Sequence, residues 1–294
     1  MNSKRKPSWP HRPTPGRPSR NTSTAPAALA ASAAVAALAT TLVGCGGADS
    51  SPRAEGAHRT PSRAASTGTK VLWVGDSIAG TEAPALRAAL TASGVAFKDM
   101  SSDGGGTVVA GSEKITKMIA AETWKQLTEN IDSFRPTLVA YQITTYDWGS
   151  ESQQRAAYDK FVKSAVAAGA KAVFVPAPPV KTDGFYKKYA PQMRTAPRVA
   201  KEVAKEFAKG VASNSGGSAV FLDASHLWGT DASAAKAQRS SDGIHNCQQG
   251  AAEFASWFTK QLGKREGFAP ASVDAWANGS WTGDDRYGKL KCDS

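Results

Sequence analysis

The sequence predicts an α/β protein, a parallel sheet of about five strands covered by helices on both faces. Three observations carry this expectation. Short apolar runs alternate with longer helix-like runs along most of the chain. Several of the short runs are almost uninterrupted in their apolar character, as strands buried on both faces must be. Gly94, Gly169 and Gly250 fall at the junctions between runs, where a change of backbone direction is needed.

The first strand is expected at Lys70 to Gly75, a Lys-Val-Leu-Trp-Val-Gly segment that runs into a Gly-Asp-Ser turn, with a helix following at Glu82 to Ala92. The second, Val95 to Met100, opens just after Gly94 and is followed by Gly104-Gly105-Gly106 and a helix at Glu113 to Ile131. The third, Thr137 to Ile143, leads through the Thr144 to Trp148 loop to a helix at Ser152 to Ala168, closed by Gly169. Ala172 to Pro176 and Ala219 to Asp223 complete the strands; helices are expected at Pro197 to Ala212 and, after Gly250, at Ala251 to Leu262. Strands separated by helices pair in parallel, because a crossover of that length returns the chain in the same direction. Reactive groups in such sheets gather at the carboxyl ends of the strands, where Ser77 and the Thr144 to Trp148 loop fall.

The segments before the first strand are not expected to belong to the fold. Lys4, Arg5, Lys6, Arg12, Arg17 and Arg20 precede an uncharged, alanine-rich run from Ala25 to Gly44, the pattern of an export signal. Its end, Leu42-Val43-Gly44-Cys45, resembles the lipobox of bacterial lipoproteins, which implies cleavage before Cys45, acylation of that cysteine and a membrane anchor on the outer face of the cell. An ordinary secretory signal with an incidental Cys45, or an uncleaved anchor, are the alternatives. Residues 45 to 69 are poor in large apolar groups and read as a flexible tether, leaving one domain over residues 70 to 294.

Removing the leader changes the charge argument. The chain carries 36 Lys and Arg against 25 Asp and Glu, a net charge of +11. Residues 1 to 44 hold six of the basic groups and none of the acidic ones, so the remainder carries about +5. The rest shows no basic helix, aromatic stacking motif or zinc-finger spacing, so a nucleic-acid partner is not expected. With Cys45 acylated, Cys247 and Cys292 remain. An even number of thiols in an exported protein suggests a disulfide between them, two free cysteines being the alternative.

Two distant segments hold the chemistry. Val71-Leu-Trp-Val-Gly-Asp-Ser77 presents a serine at the end of a strand, and Ser241-Asp-Gly-Ile-His245 supplies an aspartate and a histidine three residues apart. A histidine that takes the hydroxyl proton makes a weak alcohol nucleophilic, and an acid fixes the imidazole tautomer and steadies its positive charge. Asp223 and His226 form a second Asp/His pair, read as a strand-end feature.

Gly75-Asp76-Ser77 after the first strand, the glycine run after the second, and Asp242-Gly243-Ile244-His245 before the last helix resemble the SGNH, or GDSL, hydrolases over about Lys70 to Leu262. The resemblance implies a flavodoxin-like three-layer α/β/α sandwich and acyl hydrolysis or transfer through a serine ester. It implies Ser77 as nucleophile, His245 as general base and then acid, and Asp242 as its orienting partner. The backbone N–H of Ser77 and that of Gly105 are the expected oxyanion donors, since a loop without side chains allows close approach.

The third donor departs from the family. Where the pattern after the third strand is Gly-x-Asn-Asp, this chain has Tyr141-Gln142-Ile143-Thr144-Thr145-Tyr146-Asp147-Trp148. Aligning Asp147 with the family's aspartate places Tyr146 in the asparagine position; Gln142, Thr144 and Thr145 are further candidates because each carries a donor. Trp148, Phe185, Tyr186 and Trp228 are loop aromatics that either line an acyl or sugar pocket or pack on the core edge, and Trp276, Trp281 and Tyr287 are expected to pack an irregular tail. Asp103 and Asp147 are too isolated to suggest a metal, and no cofactor is expected. The leading expectation is a monomeric serine esterase of the cell envelope acting on an acyl ester. An O-acyltransferase acting on sugars, or a non-catalytic binding lipoprotein, are the alternatives.

Overall fold

The computed structural model describes residues 65–210 and 217–292. The expected export signal, Cys45 and most of the expected tether lie outside the described residues. The described residues form one compact unit, and both of its hydrophobic cores are drawn from residues 71–287.

Five strands, β1 (Lys70–Gly75), β2 (Ala96–Ser101), β3 (Leu138–Ile143), β4 (Lys171–Pro176) and β5 (Ala219–Phe221), form one sheet in the order β2-β1-β3-β4-β5. Every pairing is parallel. This is the flavodoxin-like order, with the reversal of winding between β1 and β3. Thr67 donates to Gly94 O and Lys70 N–H to Thr137 Oγ1, so the end of the predicted tether already belongs to the domain.

The period-two alternation of β1 builds both cores. Val71 and Trp73 face one side with α1 (Ser77–Ala92) and the long helix Gln248–Glu266, while Leu72 and Val74 face the other, with α2 (Lys114–Phe134), α3 (Glu151–Ala167) and α4 (Ala190–Ala208). Helices on both faces of a covered sheet give the three layers. Two short helices complete the set in chain order, α5 (Ser225–Trp228) before the long helix, here α6, and α7 (Asp285–Lys289) after it.

One helix start differs from expectation in a way that bears on the site. α1 begins at Ser77, not Glu82, because Asp76 caps it: its Oδ1 accepts the N–H of Ile78 at 3.0 Å. Gly80 and Pro84 weaken the local helix signal and conceal this first turn in the sequence. The tail is fixed as a unit. Cys247, at the start of α6, is disulfide-bonded to Cys292, and the Tyr287 hydroxyl donates to Thr81 O at 2.8 Å.

Candidate active site

Ser77 is the first residue of α1, at the carboxyl end of β1. Its N–H is one of the first-turn donors that a helix leaves without an intrahelical acceptor, and it points where the helix dipole favours negative charge. His245 Nε2 lies 2.8 Å from Ser77 Oγ, and His245 Nδ1 lies 2.7 Å from Asp242 Oδ2. The structure therefore joins the three side chains in one unbroken line although 168 positions separate the serine from the histidine.

The turn that carries Asp242 and His245 is held from within. Asp242 Oδ1 accepts from Ser240 Oγ at 2.7 Å, Ile244 N–H at 2.7 Å and His245 N–H at 2.9 Å. Ser240 N–H donates to His245 O at 2.7 Å, closing the loop. Partial burial would raise the Asp242 carboxyl, but the bonds from the His245 ring and N–H, Ser240 and Ile244 outweigh it and hold the group at about 2. Arg239 braces the segment from behind: its Nη1 donates to Ile244 O at 2.8 Å and Asn246 Oδ1 at 2.9 Å, on either side of His245 in the chain.

The oxyanion side is built differently. Gly106 packs onto the nucleophile turn so closely that a Cβ there would lie 2.2 Å from Gly75 O, and Gly105 has φ +98°. Both positions require glycine. Gly105 N–H donates to Ser102 O at 3.3 Å, a long bond. The Tyr146 ring covers this glycine, 3.0 Å from where a Cβ would stand. Burial, reinforced by Tyr186 and by the Asp76 charge, pushes the Tyr146 hydroxyl up to about 12. It is a protonated donor at any pH the protein meets.

The other three candidates for a third donor are engaged elsewhere. Gln142 is fully buried and donates to Glu82 Oε2 at 2.6 Å. Thr145 gives its N–H and hydroxyl to Asp76 Oδ2 at 2.8 and 2.7 Å. Thr144 gives its hydroxyl to Asp147 Oδ1 at 3.1 Å. In each case a buried hydroxyl, amide or backbone N–H is satisfied by a carboxylate. The hydroxyl of Tyr146, the candidate aligned with the family's asparagine, has Tyr186 as its hydrogen-bonding neighbour.

Asp76 and Asp147 have structural roles that the sequence did not reveal. Asp147 accepts hydroxyls from Thr107, Tyr141, Thr144 and Tyr158, the tyrosines both at 2.7 Å. Burial raises its carboxyl despite these four donors, and raises that of Asp76 despite Thr145 and Ile78. Asp76 thus clamps the loop after β3 to the turn that presents Ser77. The one available signal was its place before a helix-starting serine, the position of an N-cap. Beneath them, burial pushes the Glu82 carboxyl up to about 8, against the attraction of Arg239 and the Gln142 bond that favour its anion.

Asp223 and His226 take no part; Asp223 caps Ser225 N–H at 3.0 Å and pairs with Lys201 at 3.4 Å, and His226 is exposed. Of the loop aromatics, Trp148 is buried and stacks on Tyr189 with ring centres 3.5 Å apart, and Trp228 is buried against Phe254. Trp148 also stacks on Tyr146 with ring centres 4.9 Å apart, and Tyr186 sits edge-on to the same ring at 6.4 Å, with Phe185 packed behind it. A 210 Å³ cavity lined by Gly75, Gly105, Met118 and Ile119 opens beside the glycine loop, and a 290 Å³ groove passes Thr144, Thr145, Val180 and Arg194. A larger hollow of 540 Å³ lies at Lys260 to Val273, at the far end of α6 from His245.

No family model matches the chain, and no curated protein matches it. Among solved structures it is similar to a candidate acylhydrolase of Bacteroides fragilis, at 15% identity over 67% of this chain and 88% of that one, with a TM-score of 0.49. A GDSL-like lipase of Bacteroides thetaiotaomicron matches at 12% identity over 67% and 89%, TM-score 0.48. A catalytic mutant of an acetylxylan esterase from Geobacillus stearothermophilus matches at 15% over 68% and 96%, TM-score 0.46. By description these are an acylhydrolase, a GDSL-like lipase and an acetylxylan esterase. At such similarity they bear on neither the activity nor the substrate of this chain.

Proposed function

We propose that this protein is a serine esterase that cleaves acyl esters through an acyl-Ser77 intermediate. The observation that carries the reading is the contact line Ser77 Oγ to His245 Nε2 to Asp242 Oδ2, at 2.8 and 2.7 Å. His245 takes the serine proton as Oγ attacks the ester carbonyl, and the resulting imidazolium faces a carboxylate held ionised. The Ser77 N–H, the glycine loop at Gly105 and the Tyr146 hydroxyl receive the developing oxyanion. His245 then returns the proton to the leaving alcohol, water attacks the acyl carbonyl with His245 again as base, and Ser77 is restored. The substrate is an acyl ester of a carbohydrate, a lipid or a small molecule, met outside the cell by a domain tethered through acylated Cys45.

Incubation with short-chain aryl esters and a serine-reactive phosphonate tests this directly. Wild type is expected to turn over ester and take one phosphonate label at Ser77, and Ser77→Ala to do neither while keeping its thermal midpoint. Tyr146→Phe is expected to lose about 10²–10³ in rate. A folded wild-type protein that is neither labelled nor active ends the esterase reading.

A further inference from the structure

Four large apolar side chains are exposed among the described residues: Ile115 at 45%, Met118 at 62%, Phe185 at 57% and Val273 at 42%. Met118 and Phe185 approach the site from two sides, and Ile115 lies one turn before Ile119 on α2. Met118 and Ile119 line the cavity that contains Gly75 and Gly105. Phe185 packs on Tyr186, with ring centres 5.2 Å apart, and Tyr186 packs on Tyr146, which covers Gly105. The ion pair of Lys188 with Glu113, at 3.5 Å, ties the Gly184–Tyr189 turn to the start of α2. The two exposed apolar clusters are therefore opposite rims of one opening.

Exposed lysines interleave with these side chains. The first turns of α2 read Lys114-Ile115-Thr116-Lys117-Met118, and the facing rim reads Phe185-Tyr186-Lys187-Lys188. Lys114, Lys117 and Lys187 enter no ion pair among the described residues. Apolar groups held out in water at a rim have nothing to gain from a soluble polyanion, which would satisfy the lysines alone. A bilayer with anionic headgroups satisfies both, taking the apolar tips below the phosphate level and the ammonium groups at it.

We propose that this rim is a docking surface for an anionic lipid bilayer, and that it lays the opening beside Ser77 against the membrane. The contact is made by the folded domain and requires neither acylation of Cys45 nor esterase activity. With the rim engaged, the opening faces molecules in the outer leaflet.

The test uses the chain from Gly46, which keeps the whole compact unit and both cores but lacks the apolar leader and Cys45. Partition onto vesicles of phosphatidylcholine, with and without about one-third phosphatidylglycerol, is read by sedimentation. Wild type is expected on the anionic vesicles and not on the neutral ones. Lys114→Ala/Lys117→Ala/Lys187→Ala is expected to reduce partition about a hundredfold, since each lysine near an anionic surface contributes about 1 kcal/mol. Ile115→Ser/Met118→Ser, both at exposed positions, is expected to reduce it about tenfold or more with an unchanged thermal midpoint. Phe185→Ser supplies an independent apolar change on the opposite rim.

Absence of wild type from anionic vesicles overturns the proposal. So does full binding by the apolar variants together with displacement by inorganic polyphosphate, which would make the rim a polyanion site. Because Ser77→Ala is expected to bind vesicles as wild type does, loss of the docking and loss of the esterase reading are separate results.

Discussion

The two halves of the candidate site are held by opposite means. On the base side, Asp242 and His245 are fixed by a turn of six residues whose bonds run among Ser240, Asp242, Ile244 and His245. On the oxyanion side, one loop is fixed by two buried carboxylates that draw hydroxyls from β3, α3 and the segment after β2. The first arrangement is local and partly open to water; the second is long-range and dry. A local turn can change without loosening the domain, whereas a buried network fails as a unit because each unpaired member keeps its full desolvation cost.

The largest expected effect falls on the base side. Asp242→Asn keeps the turn's shape but offers the imidazole an amide, favouring the wrong tautomer, and is expected to lower kcat by about 10⁴. Its thermal midpoint should move little. A variant that loses its fold with its activity would show the turn to be structural and erase the contrast.

Asp147→Ala should do the reverse. It leaves the hydroxyls of Thr107, Tyr141, Thr144 and Tyr158 facing one another without their shared acceptor. A loss of about 3 kcal/mol or more in denaturant unfolding is expected, with activity falling as a consequence of a displaced loop. Unchanged stability would mean that water or rearranged hydroxyls replace the carboxylate, and that the loop is less tightly built than its bonds indicate.

The effect that is smallest at any one pH step concerns Glu82, fully buried and bonded to Gln142. Its carboxyl is raised to about 8 in the folded protein, so folding favours the protonated form. The stability this contributes is whole below the unfolded value near 4.5 and is lost as pH rises through about 8, on the order of 1 kcal/mol per pH unit in between. Glu82→Gln is expected to flatten that slope in urea titrations between those limits. An identical slope in the variant would place the titration elsewhere.

What could be read from the sequence follows the same division. The sheet was legible because β1 and β3 are short, nearly continuous apolar runs, and the Asp242 to His245 turn because its partners sit within a few positions of one another. The start of α1 was not, since Gly80 and Pro84 obscure a helix that is decided by the Asp76 cap. The fate of Gln142, Thr144 and Thr145 was not either. Nothing near Gln142 in the sequence announces Glu82, 60 positions away, and nothing near Thr145 announces Asp76, 69 positions away. Residues with a donor to offer look equivalent until the fold assigns each an acceptor.

The bond from Tyr287 to Thr81 and the Cys247–Cys292 link set an order on how the domain comes into being. Every side chain of the triad has been synthesised by residue 245, yet the helix that opens with the nucleophile is latched by residue 287 and the start of α6 by residue 292. A nascent chain therefore carries its reactive groups for more than forty residues before the latch that steadies them exists. The side chains of the proposed triad thus precede in the chain the two residues that pin the starts of α1 and α6.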